Sequence, residues 1–162
     1  MKPIPEATIA KVRKKLNELS IHEAPRRLEL MNQRQPLILA YLMAAGDDLL
    51  NDDERELLLF LGLVVWEIMS REAELPPVRE NLLIAKETGN LRLMGELWRD
   101  PEQAIDRTVD FLETYNQSEV LRMVFEAVME ETDAGEGEIR DENRGNLFIY
   151  LKTVIDCFDH DT

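Results

Sequence analysis

Asn51-Asp52-Asp53-Glu54-Arg55-Glu56-Leu57-Leu58-Leu59-Phe60-Leu61-Gly62-Leu63-Val64-Val65-Trp66-Glu67-Ile68-Met69-Ser70-Arg71 is the stretch on which the fold turns. It opens on a capping-box pattern: Asn51 can accept from the backbone three residues on, and Glu54 can accept from the N–H of Asn51 in return. The acids that follow Asn51 suit the unpaired N–H groups and positive end of a helix. Beyond them, Leu57, Leu58, Phe60, Leu61, Val64, Val65, Ile68 and Met69 cover most of the circumference. A helix that is apolar nearly all round belongs in an interior, so this one is expected at the centre of an all-α domain.

The start of this helix is echoed later in the chain. Residues 45–58 and 134–147 align at a constant offset of 89, with Ala45/Ala134, Gly46/Gly135, Asp52/Asp141, Arg55/Arg144 and Leu58/Leu147 identical. Asp47/Glu136, Leu50/Ile139 and Asp53/Glu142 keep their chemistry. Each copy lies between two apolar-periodic segments, so the unit reads as helix, acidic loop, helix. The pattern predicts a single-domain bundle of about eight or nine helices, with two pseudo-symmetric halves. The segments are a basic first helix (1–20), a first half (25–71), middle helices (75–115) and a second half (118–160).

Clustered carboxylates at a chain reversal are the right material for a hard cation, which takes six to eight oxygen ligands. The candidate metal-binding residues are Asp47, Asp48, Asp52 and Asp53 in the first copy, with Glu136, Glu138, Asp141 and Glu142 in the second. Glu136-Gly137-Glu138-Ile139, followed by acids on a new helix, resembles part of an EF-hand loop. It is also similar to the acidic turn of tellurite-resistance TerB-like helical domains, over about a dozen residues per copy. With Ile139 at the EF-hand's hydrophobic position, the early ligand positions fall on Thr132 and Ala134 and the last on Asn143. In the first copy they fall on Met43 and Ala45, and Glu54 takes the last. Helix capping and loop packing explain these acids at least as well as weak calcium or magnesium binding does, and no cofactor is required.

Working outward, Ile9, Val12, Leu16 and Leu19 make one stripe of a helix over residues 5–19, with Pro5 in its first turn. A second helix starts near Pro25 and breaks at Pro36. Gly89 reads as the residue that ends a helix, and Asn90 as the cap of a short one carrying Leu91, Leu93, Met94, Leu97 and Trp98. Asp100-Pro101-Glu102-Gln103 reads as the next start, of a helix burying Ile105, Val109 and Leu112. Ser118 opens another, with Val120, Leu121, Val124, Phe125 and Val128 inward, and the last carries Leu147, Leu151, Val154, Ile155 and Phe158. No segment alternates as a strand does.

The 162 residues carry a net charge of −14, a field that repels nucleic acid and anionic lipid and favours cationic partners. Residues 1–34 are the exception, with eight Lys/Arg against four Asp/Glu. This basic stretch is a solvated face or an arm onto the acidic body or a second copy, which makes a homodimer one candidate assembly. Cys157 is the one cysteine and sits among apolar residues, so no internal disulfide forms and it reads as a small core residue. The start lacks an apolar signal core and no run is long enough to span a bilayer, so the expected location is cytoplasmic.

Catalytic machinery is hard to find. Glu18/His22 and Asp156/His160 are spaced four apart, but neither histidine fits the Glu-x-x-His pattern of a di-iron bundle. No nucleophile elbow and no phosphate loop is present. The expected function is an acidic intracellular interaction or regulatory module that binds a basic protein surface or peptide, with no nucleic acid and no membrane. Its rivals are an acidic nucleic-acid mimic that inhibits a basic protein, and a helical carboxylate metalloenzyme. Trp66 and Trp98 are expected in the core, with a partly exposed Trp as an interface anchor the other option.

Overall fold

A computed structural model describes residues 1–130 and 138–159. Among these the chain forms eight helices and no strand: α1 (Glu6–Asn17), α2 (Glu23–Arg34), α3 (Pro36–Ala44), α4 (Asp52–Glu72), α5 (Glu80–Leu97), α6 (Ala104–Thr114), α7 (Ser118–Met129) and α8 (Asp141–Phe158). The all-α helical bundle is the fold expected from the sequence. No helix among the described residues is long and apolar enough to cross a membrane.

Two helices organise the rest. The α4 helix packs against α1, α2, α3 and α8, and α8 packs against α4, α5 and α7. Their central place follows from composition: Leu58, Val65, Ile68 and Met69 on α4, and Leu147, Ile149, Leu151, Val154 and Ile155 on α8, are fully buried. Burying a side chain of this size is worth about 1.5–3 kcal/mol, so these two faces carry much of the driving force for folding. Gly62 lets α3 approach α4 closely, because a Cβ there would lie 2.3 Å from Leu42 Cδ1.

Helix boundaries follow local chemistry. Pro36 is the first residue of α3, where its missing N–H costs nothing, and Gln35 makes the break from α2. Asn51 and Glu54 form the full capping box at the start of α4. Gly46 has φ of 65°, the left-handed conformation that glycine adopts without strain, and it opens the turn between α3 and α4.

Three expectations are corrected. The α5 helix runs unbroken through Gly89 and Asn90, and the Asn90 side chain, rather than capping a new helix, is buried against α8 and donates to Thr153 and Asp156. Residues 100–103 form a turn rather than the first turn of α6, with Asp100 accepting from the N–H groups of Glu102 and Gln103. As a result α6 is rotated from its expected face. It buries Ala104, Thr108 and Leu112, while Ile105 and Val109 are 52% and 37% exposed. The Thr108 hydroxyl is free to face inward because it donates to the Ala104 carbonyl at 2.7 Å.

Candidate functional site

Residues 138–140, just before α8, meet the acidic loop before α4, and Glu54 stands at their junction. Its side chain is fully buried and accepts the Asn51 N–H at 2.9 Å, which caps its own helix. Its second oxygen accepts the Arg140 N–H at 3.0 Å, and Arg140 is the N-cap of α8. One carboxylate therefore caps both central helices. The Arg140 guanidinium adds an ion pair at 2.7 Å, and Asn143 Nδ2 donates to the same carboxylate at 2.9 Å.

The offset of 89 acquires a physical meaning here. It pairs Asn51 with Arg140 and Glu54 with Asn143, and both members of the second pair touch. The caps reach across in the same manner: Asn51 Nδ2 donates to the Glu138 carbonyl at 3.0 Å, and Arg140 Nη2 donates to the Leu49 carbonyl at 2.6 Å. Arg55 donates to the carbonyls of Met43 and Ala45, which flank the last residue of α3. Arg144 does the same for Val128 and Glu130, which flank the last residue of α7. Each arginine thus ties a helix start to the end of the helix before it. Leu50 and Ile139, the matched apolar pair, both pack against the core.

The carboxylates selected from sequence divide among several tasks. Asp47, Asp48 and Asp52 are exposed, while Asp53 accepts the Glu138 N–H at 3.0 Å. Exposed Glu138 joins the junction through its backbone. Asp141 pairs with Arg144 at 3.0 Å, and Glu142 with Arg140 at 3.6 Å. Glu136 lies outside the described residues, as do Thr132, Ala134, Gly135 and His160. Among the described residues no three Asp, Glu, His or Cys side chains come together to hold a metal ion.

A second polar centre, missed in the sequence, lies between α5, α6 and α8. Lys152 is 5% exposed, and its ammonium donates to Asn90 Oδ1 and Asp156 Oδ2, each at 2.7 Å. It also lies 5.4 Å from the Phe111 ring centre and 5.0 Å from that of Tyr115. The Tyr115 hydroxyl donates to Asp156; burial first, and then the neighbouring carboxylate, push its pKa up. Asp156 is thereby committed to these partners rather than held ready for a histidine. The available signal was a lysine on the apolar face of the last helix, four residues before an acid. With its ion pair made and its hydrogen bonds satisfied, this cluster serves as a fastening between helices.

The surface offers a different kind of site. On α6, Ile105 and Val109 lie one turn apart, and Asp106, Asp110 and Glu113 form an exposed acidic stripe beside them. Glu102 extends the acids into the preceding turn, and none of these four carboxylates makes an ion pair among the described residues. Trp66 is buried as expected, whereas Trp98 is half-buried and packs over Gly145.

No family model, curated protein or solved structure matches the chain. Its function is therefore read from geometry and charge.

Proposed function

We propose that this protein is an acidic intracellular interaction module, without catalytic activity of its own, whose partner presents a basic amphipathic helix. The outer face of α6 carries this reading. Two exposed β-branched side chains, Ile105 and Val109, run beside a row of unpaired acids at helical spacing. A partner helix with apolar residues at i and i+4 and lysines or arginines alongside would cover the first and neutralise the second. The net charge of −14 adds long-range attraction for such a partner and speeds encounter. A divalent cation has no part in this reading.

The test is fluorescence anisotropy with a labelled lysine–leucine amphipathic peptide and a scrambled peptide of equal charge. The amphipathic peptide is expected to bind more tightly, with affinity falling as salt rises. Substituting Asp106→Lys and Asp110→Lys together should weaken it about tenfold or more, a loss of about 1.4 kcal/mol. Asp47→Asn and Asp48→Asn together should leave it unchanged. Equal binding of both peptides, or equal loss from both pairs of substitutions, would reduce the interaction to bulk charge and remove the α6 site.

A further inference from the structure

Between α4 and α5 the chain runs without regular secondary structure through Leu75, Pro76, Pro77 and Val78 before α5 begins. This segment, the first two turns of α5 and the last turn of α8 enclose a groove of about 540 Å³. That volume falls within the range of small-molecule sites. The wall is built in advance. Gln35, only 1% exposed, donates to the Leu75 and Pro76 carbonyls at 3.3 and 3.0 Å and accepts the Val78 N–H at 3.0 Å. With the Val78 N–H engaged and two prolines that lack one, the wall has few donors for an added strand. A ligand here meets apolar side chains beside the Arg79 and Asn81 side chains rather than a free strand edge.

The lining supplies that contact through Leu75, Val78, Leu82 and Phe158. Its charge differs from that of the molecule. Arg79 lines the groove and is exposed, and among the described residues it makes no ion pair and no carboxylate lines the groove. Burial first, and then the Asp156 carboxylate, push the Cys157 thiol at the groove floor up to about 12, against a smaller opposing effect of Lys86 on α5. Asp156, the acid beside that floor, is already held by Lys152, Asn90 and Tyr115. The groove thus sets apolar side chains beside one cation, Arg79, on a protein whose net charge otherwise repels anions.

We propose that this groove binds a small amphiphilic carboxylate, with its apolar tail along Leu82 and Phe158 and its anionic head at Arg79. The proposal is independent of the α6 surface. Decanoate, below its micelle concentration, is the probe; decanol and decyltrimethylammonium carry the same tail with a neutral and a cationic head. Calorimetry should show saturable binding of decanoate, with the other two at least about tenfold weaker. Saturating decanoate should raise the Tm, because a ligand that binds only the folded state stabilises it. It should also slow labelling of Cys157 by a thiol reagent. Arg79→Gln should abolish the preference for the carboxylate head, and Leu82→Trp should fill the slot and block all three probes. Arg79 is exposed and Leu82 is half-buried against the edge of the core, so folding is checked for each variant by its own thermal melt. Equal affinity for the three probes, no saturable binding, or binding that survives both substitutions would overturn the proposal.

Discussion

Glu54 does at one position the work that a symmetric pair would divide between two. Burial alone would raise its pKa, but donors from the Arg140 side chain, the Asn51 and Arg140 backbones and Asn143 bring it down from 4.5 to about 2. A group whose pKa is lower folded than unfolded stabilises the fold in its ionised form. This contribution is complete above pH 4.5 and is lost as pH falls from there towards 2. Urea unfolding across that interval should show stability dropping in the native chain, and Glu54→Gln should remove part of the slope. Glu54→Ala should cost about 1.5–3 kcal/mol near neutral pH, because two helix starts lose a charged acceptor while the partly exposed Arg140 guanidinium can turn to water. Glycines give the opposite expectation. Gly89 and Gly95 are helical, exposed and open around the Cβ position, so alanine at each should add about 0.5–1 kcal/mol in thermal or chemical unfolding.

At the scale of elements, the central helices could be read from the chain because their signals are local. Asn51 and Glu54 sit three apart as a capping box needs, and the α4 apolar residues repeat all round. The α8 start carried no such signal, since its cap is supplied from 86 residues away. The rotation of α6 was equally hidden. Asp100-Pro101 looks like a helix start in isolation, and only packing decides that Ala104 and Thr108, not Ile105 and Val109, turn inward. The exposed pair that marks the candidate surface was therefore assigned to the core. Two measurements address the element contacts. Arg55→Ala and Arg144→Ala each remove a charged donor from two terminal carbonyls, and each should cost about 1.5–3 kcal/mol in chemical denaturation. Gly62→Ala should cost about 1–3 kcal/mol despite the better helix propensity of alanine, because fully buried Leu42 cannot move aside. Adding Leu42→Ala should then cost less than in the native background, a coupling visible in the double-mutant cycle.

Across the whole molecule, charge is the property read most directly from composition, and it has a direct test. A net charge of −14 on a single domain makes the folded state repel itself. Raising salt from 0.01 to 0.1 M shortens the screening length from about 30 to about 10 Å, so the Tm should rise by a few degrees. The part-buried Glu54–Arg140 contact is screened less than exposed charges and should not reverse that sign. Apolar periodicity made the helical class legible, but it could not place the Lys152 cluster, whose members come from three helices separated in sequence.

The shared carboxylate at the junction also makes the molecule divisible in a particular way. A cut between Arg99 and Asp100, in the turn after α5, would leave Glu54 on one piece and the α8 start that needs it on the other. Neither piece would hold all the contacts of the α4–α8 core, so each alone should lose helicity. Mixed together, they would have reason to find one another. The domain should behave as a complementing split pair whose reassembly fails when Glu54 is absent.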